Sequence, residues 1–260
     1  MQLQRSYPEL QRKGIGLAAI SYDPPATLKA FADARGITFP LLSDVGSTTI
    51  KAFGLLNEQA SGRTAGIPHP GTFMLDARGV VTARSFEASY QERATAGSLA
   101  GAARVGGVGE KSATSETAHI TITTAASDGV VAPGARFSLL VDVTPKPRMH
   151  VYAPDQSTYI PVALEIASND VKVHAPRFPP SEEFLFKPLN ERQRVYSRPF
   201  RIVTEVTVAL TPAMRERARV SGAMLTVNAS LRYQACDDKV CYTPATVPLS
   251  WTVALEALSR

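Results

Sequence analysis

Two residues in this chain can carry thiol chemistry. Cys236 and Cys241 are its only cysteines, and four residues separate them in Tyr233-Gln234-Ala235-Cys236-Asp237-Asp238-Lys239-Val240-Cys241-Tyr242. The thiolate is the reactive form of a cysteine, so the neighbouring charges matter: Asp237 and Asp238 beside Cys236 oppose ionisation, while Lys239 favours it near Cys241. These charges lean toward ionisation of Cys241 rather than Cys236. A disulfide that closes so short a ring constrains the unfolded chain little, and the loop-entropy relation gives it about 2 kcal/mol, near the low end for disulfides. A bridge that stabilises so little suits exchange better than stapling. The alternative is a small structural disulfide at a hairpin tip.

Other chemistries find less support. Two cysteines without a CxxC spacing or a nearby histidine do not complete a tetrahedral metal site. His69, His119, His150 and His174 fall on separate elements and read as surface or hydrogen-bonded residues. No carboxylate spacing singles out an acid–base pair, no glycine-rich phosphate loop follows a strand, and nothing calls for a cofactor. The net charge of +5 and the pI near 9.3 come from scattered Lys and Arg, never from a run interleaved with aromatics. That is a solvated basic surface rather than a nucleic-acid footprint. The longest apolar stretch, Gly14 to Ser21, is of strand length, so no membrane insertion is expected.

The elements around the cysteines follow from a period of two. Leu225, Val227, Ala229, Leu231 and Tyr233 point one way, and Thr226, Asn228, Ser230, Arg232 and Gln234 the other. Cys236 falls in register with the polar set, which predicts that solvent or a partner reaches it. Val247, Leu249, Trp251, Val253 and Leu255 alternate on the return strand, giving a hairpin whose loop holds both cysteines. Facing cysteines on adjacent antiparallel strands have Cα atoms roughly 4.5 to 5.5 Å apart, close to what a disulfide tolerates.

The same period runs back through Ile120 and Ile122, Phe137 to Val143, and Ile202 to Val208. With turns at Ser127-Asp128-Gly129 and Ala132-Pro133-Gly134, this predicts an all-β immunoglobulin-like sandwich over residues 117–260. Arg215 to Arg219 reads as one solvated helical turn. Residues 105–116, rich in Gly, Ser and Thr, read as a flexible linker. Residues 1–104 read differently. A helix to Arg12 stopped by Gly14, a strand over Ile15–Ile20, and a helix from Asp23-Pro24-Pro25 to Gly36 with Leu28, Phe31 and Ala32 inward predict an α/β unit. An extended Phe39-Pro40-Leu41-Leu42, a short helix near Ile50 and Phe53, a hairpin across Ala77-Arg78-Gly79 and an Ala-rich helix over Tyr90–Ala103 complete it.

Two resemblances carry specific implications. Gly14 to Asp23, Phe39-Pro40-Leu41-Leu42-Ser43-Asp44 and His69-Pro70-Gly71-Thr72-Phe73-Met74-Leu75-Asp76 resemble, in order, the alkyl hydroperoxide reductase and thiol-antioxidant branch of the thioredoxin-like redoxins. The resemblance implies a thioredoxin-like fold and puts Pro70 where that family keeps a cis proline; the alternative is a proline that merely starts a strand. The family's first core strand and its redox cysteine have no counterpart before Met1, which reads as a truncated form or a start at an internal methionine. Met149-His150-Val151-Tyr152-Ala153-Pro154, Tyr233 to Cys236 and Cys241-Tyr242-Thr243-Pro244 resemble the N-terminal domain of the thiol:disulfide interchange protein DsbD. That resemblance implies a periplasmic or other extracytoplasmic location. It makes Cys241 the thiol that forms mixed disulfides and Cys236 the one that resolves them. A cap aromatic is implied within Glu182 to Phe186, either Phe184 or Phe186, and Tyr233 and Tyr242 are expected to support the pair.

The expectation is thus a protein that relays electrons through Cys236 and Cys241. Its implied partners are thioredoxin-like redox proteins, disulfide-bearing extracytoplasmic proteins and a membrane electron-transfer partner. The alternatives are an immunoglobulin-like adaptor with an inert disulfide, or a peroxiredoxin-like thiol reductase whose active cysteine lies upstream of Met1.

Overall fold

A computed structural model of the 260-residue chain describes residues 2–86, 91–95, 97–98, 113–156, 158–186 and 190–257. They fall into two compact units, one within Met1–Leu99 and one within Ala100–Ala257.

The first unit follows the strand–helix order read from its punctuation. Its elements are α1 (Gln2–Arg12), β1 (Ala19–Ser21), α2 (Pro25–Arg35), β2 (Leu41–Ser43), α3 (Thr48–Ala52), β3 (Gly71–Leu75), β4 (Val81–Phe86) and β5 (Arg93–Ala94). Pro25 opens α2, where a missing N–H costs nothing, and Gly36 closes it at φ 60°, a left-handed conformation that glycine adopts without strain. β1 and β2 pair in parallel, Ile20 opposite Leu42, and the ladder is shorter than the apolar run Ile15–Ile20 because β2 offers only three partners. β3 and β4 form the expected hairpin. Asp76 fixes its turn by accepting from the amides of Arg78 and Val80 at 2.9 Å each, and Gly79 takes the positive φ.

Among the described residues of this unit, the buried apolar side chains are Leu10, Leu28, Phe39 and Ile50. Phe31, expected inward with Leu28, is 44% exposed instead. The two-stranded sheet that α2 meets is too narrow to cover both. Of the helix expected over Tyr90–Ala103, Arg93–Ala94 is extended, and most of the rest lies outside the described residues.

The second unit is β-rich. In chain order come β6 (Ala113–Glu116), β7 (Ile120–Ala126), β8 (Val130–Val131), β9 (Ala135–Pro145), β10 (His150–Tyr152), β11 (Ala163–Ala167), β12 (Val171–Val173) and β13 (Glu182–Phe186). They are followed by β14 (Glu191–Tyr196), β15 (Phe200–Val208), α4 (Pro212–Arg217), β16 (Met224–Tyr233), β17 (Ala235–Cys236) and β18 (Ala245–Leu255). One sheet runs β12-β15-β9-β7-β6 and another β11-β16-β18-β8. Apart from the parallel β18–β8 contact, these ladders are antiparallel. Ala113–Glu116 is therefore a strand, although its composition suggested linker. Thr124 Oγ1 donates to Ala113 O, and the antiparallel ladder with β7 pairs the strand's inner edge. The rest of the expected linker lies outside the described residues.

The core of the second unit lies between the two larger sheets. Ile120, Ile122, Phe137, Leu139, Val141, Ile202 and Val206 from the first meet Leu225, Val227, Leu231, Leu249, Trp251 and Val253 from the second. Each is buried on the alternating positions that the sequence shows, and each contributes about 1.5–3 kcal/mol through removal from water. Trp251 Nε1 donates to Ala125 O at 3.0 Å, so its one polar atom is satisfied. A third sheet, β13-β14-β10-β17, carries Cys236, and Cys241 joins it through an isolated bridge to Cys236.

Candidate functional site

The site begins where one strand changes partners. β16 pairs with β18 down to Tyr233 opposite Ala245; after Gln234 the chain continues as β17, which pairs with β10 through His150 opposite Cys236 and Val151 opposite Ala235. Gln234 holds this junction. Its side-chain oxygen accepts from Ile160 N at 3.2 Å, and its side-chain nitrogen donates to Tyr242 O at 3.1 Å. Ala235 points into the large core, and Cys236 points to the opposite face.

Cys236 and Cys241 are joined by a disulfide with Cα atoms 4.1 Å apart, in the same antiparallel bridge that Tyr242 N extends by donating to Ala235 O at 2.9 Å. Between them Asp237 organises the turn. One carboxylate oxygen accepts from Lys239 N and Val240 N at 2.7 Å each, and the other accepts from Tyr242 Oη at 2.9 Å. The hydrogen bond from the Lys239 amide, then those from Val240 and Tyr242, hold the Asp237 carboxyl below the usual carboxylate range. The same bond raises the Tyr242 phenol above its ordinary value. Asp237 thus acts first on the turn, and only secondarily as a charge beside Cys236.

The two cysteines differ sharply in exposure. Cys236 is 1% exposed, whereas Cys241 is exposed, with the 53% exposed Val240 beside it. This corrects the expectation that Cys236 is reachable. Its register is the predicted one, facing away from Ala235, but that face is covered by Tyr152, Val195, Tyr159 and Phe184 rather than by water. The cover comes from β10, the segment after it that carries Tyr159, β13 and β14, all far upstream, and alternation along β16 carries no record of it.

Tyr152 is the group closest to the chemistry among those the sequence did not single out. Fully buried, its hydroxyl lies 3.0 Å from Cys236 Sγ and 3.2 Å from Cys241 Sγ. Burial, followed by the nearby Tyr159 and Glu191, pushes this phenol well above the ordinary tyrosine range, so it remains a hydrogen-bond donor. Tyr159 stacks on it at 4.5 Å with planes 5° apart and donates to Glu191 Oε2 at 2.7 Å. The only sequence signal was its place in the stretch Met149 to Pro154.

The remaining expected site residues separate. Phe184 packs on the cluster that holds Cys236 and lies 4.5 Å from the His150 ring. Phe186 is buried but is not part of that cluster. Tyr233 belongs to the large core, where its hydroxyl meets Thr117 Oγ1 at 2.9 Å, so it supports the strand rather than the sulfurs. Tyr242 packs on His119 at 4.4 Å and braces the turn through Asp237. His150, read as an ordinary histidine, is 2% exposed, and among the described residues its buried Nε2 has no hydrogen-bond partner.

Pro70 lies in the first unit and precedes β3, bordering a cavity of about 390 Å³ with Leu3, Tyr22 and Gly71. No cis peptide bond occurs among the described residues, so the expected cis proline is trans. Trans is the intrinsically favoured form by about 0.5–1 kcal/mol, and a cis bond persists only where its surroundings select it.

The comparisons agree with this division. The family described as thiol:disulfide interchange protein DsbD, N-terminal, matches residues 121–250, half of the 260-residue chain. The chain belongs to that family. The AhpC/TSA family matches residues 1–84. Alkyl hydroperoxide reductase E of Mycobacterium tuberculosis is 40% identical over 82 residues, 31% of this chain and 50% of that protein. Alkyl hydroperoxide reductase C of Staphylococcus aureus is 32% identical over 90 residues, 33% of this chain and 45% of that protein. The chain spans about half the length of these curated relatives. Among solved structures, the N-terminal periplasmic domain of ScsB from Proteus mirabilis is 12% identical, covers 54% of this chain and 49% of its own, and has a TM-score of 0.36. The Neisseria meningitidis DsbD N-terminal domain in the reduced form is 17% identical, covers 45% and 82%, and has a TM-score of 0.31.

Both cysteines lie in the second unit, the part that matches the DsbD N-terminal family. Among the described residues no helix is long and apolar enough to cross a membrane.

Proposed function

We propose that the second unit exchanges disulfides with extracytoplasmic partner proteins through Cys236 and Cys241. Support for this reading comes from one asymmetry above all: Cys241 is exposed, while Cys236 is buried against a hydroxyl. A partner thiolate attacks Cys241 Sγ from solvent. The Cys236–Cys241 bond breaks, a mixed disulfide forms at Cys241, and Cys236 departs as a thiolate that accepts a hydrogen bond from Tyr152. A second partner thiolate then attacks the partner's sulfur in the mixed disulfide. Cys241 leaves as a thiolate, and the partner becomes a disulfide. Two electrons have moved to the pair, and water supplies the protons that the thiolates take up at neutral pH. The reverse sequence passes them to an acceptor, with Cys236 as the attacking thiolate that releases the partner from Cys241.

Phe184 and the Tyr152–Tyr159 stack limit access to Cys236 while leaving Cys241 open, which keeps the resolving thiol from meeting the wrong acceptor. Thioredoxin-like proteins are the fitting partners, because their own reactive cysteine is exposed and needs a sulfur on a protruding turn. A periplasmic location and a membrane electron donor are part of the same proposal and rest on the family. Both cysteines of the given sequence follow residues 1–104, so the exchange proposed here runs through the second unit.

Equilibration against glutathione buffers of graded potential tests the proposal. A pair that passes reversibly between dithiol and disulfide within the practical range supports exchange. A pair that stays oxidised at every poise leaves an inert bridge in an immunoglobulin-like adaptor.

A further inference from the structure

Resting on the exchange reading, one feature of the sheet points to control of the site. His150 sits opposite Cys236 in the β10–β17 ladder, so both side chains lie on the covered face. Its ring lies 4.5 Å from Phe184 with planes 37° apart, and meets Tyr152 edge-on at 5.9 Å. Its Nε2 is buried and has no hydrogen-bond partner among the described residues. A neutral imidazole tolerates that position, but an imidazolium would hold an unpaired buried N–H and a charge against an aromatic cluster.

The charges that face His150 come from the cysteine loop, Asp237 and Asp238. Asp237 has both oxygens engaged by Lys239, Val240 and Tyr242, and Arg148 lies near it. Asp238 is exposed and makes no hydrogen bond or ion pair among the described residues. From β13 the facing group is the apolar Phe184, since Glu183 is paired with Arg192. From β14 the acid Glu191 is held by Tyr159, and on its own strand His150 meets the phenol Tyr152.

We propose that His150 is a positioning residue whose protonation decides whether Phe184 covers the cysteine pair. Neutral, it forms the surface on which Phe184 packs. Protonated, it turns toward Asp238, the packing under Phe184 loosens, and Cys236 becomes accessible behind Cys241. Burial holds the imidazole below the ordinary histidine range while Asp238, then Asp237, oppose that effect, so the neutral form prevails at neutral pH and the opened form is reached on acidification.

The test is the rate of disulfide reduction by dithiothreitol, normalised to the reductant's thiolate concentration, between about pH 5 and pH 8, where histidines titrate. The native chain should show a several-fold rise as pH falls. His150→Phe, which keeps the stacking, should be flat, and Asp238→Asn should shift the rise to lower pH. Phe184→Ala should be fast and flat at every pH. If His150→Phe does not fold, as judged by circular dichroism, the exposed substitution Asp238→Asn decides alone. A native profile retained in His150→Phe, or left unshifted in Asp238→Asn, overturns the proposal and leaves exchange intact. A disulfide that opens at no pH in any of these proteins defeats the exchange reading and this one together.

Discussion

The Tyr152 hydroxyl lies 3.0 Å from Cys236 Sγ, and the ring that carries it is fully buried. A sulfur with so little access to water has few other groups to stabilise its anion. Hydrogen bonds to charged groups contribute about 1.5–3 kcal/mol, so Tyr152→Phe should slow reduction of the disulfide by about 10–100-fold. Stopped-flow reduction by a thioredoxin-like dithiol measures this, with thermal unfolding as the control that the core survives. An unchanged rate would remove Tyr152 from the chemistry.

Gln234 joins the strand junction to the segment that presents Tyr159. Gln234→Ala leaves Ile160 N without its acceptor and frees Tyr242 O, which should lower stability by about 1–2 kcal/mol in urea unfolding. The same substitution should increase alkylation of Cys236 in the reduced protein, because the Tyr159 side of the cover is released. Equal alkylation in the two proteins would show that the cover does not depend on this clamp.

Stability should depend on the protonation of His150 in a defined direction. Burial holds its folded pKa below the ordinary histidine value of 6.5, so the unfolded chain binds the proton more readily. Stability is then unaffected well above pH 6.5 and declines as pH falls below it. His150→Phe should remove that part of the decline. Urea midpoints across the interval, compared between the two proteins, provide the measurement.

The Asp237 carboxyl is held below the ordinary aspartate value of 3.8, so the stability it contributes is present above that pH and is lost as pH falls through the lower folded value. Asp237→Ala should abolish this acid step. It should also release the turn around Lys239 and Val240, seen as faster amide exchange at both.

Much of this architecture was legible in local signals. The β16–β18 hairpin, the inward set from Leu225 to Tyr233, the Asp76 turn and the Gly36 helix stop all depend on residues close in sequence. The burial of Cys236 was not legible, because the parity of a strand tells which face a side chain takes and not what lies on that face. Here the face is closed by Tyr152, Val195 and Phe184, which reach it through ladders to β10, β14 and β13. The same long-range closure turned His150 from an apparently ordinary histidine into a buried one. Phe31 shows the reverse error: helical spacing predicted an inward residue, but the sheet beneath it is too narrow to bury it.

The central claim is that Cys241 meets the partner and Cys236 resolves. It is tested most directly by offering a thioredoxin-like partner, with its own resolving cysteine replaced by serine, to Cys236→Ser and Cys241→Ser separately and counting mixed disulfides by mass spectrometry. The account predicts a trapped complex through Cys241 in the first and little or none through Cys236 in the second. Equal trapping by both, or a complex through Cys236 alone, would contradict it.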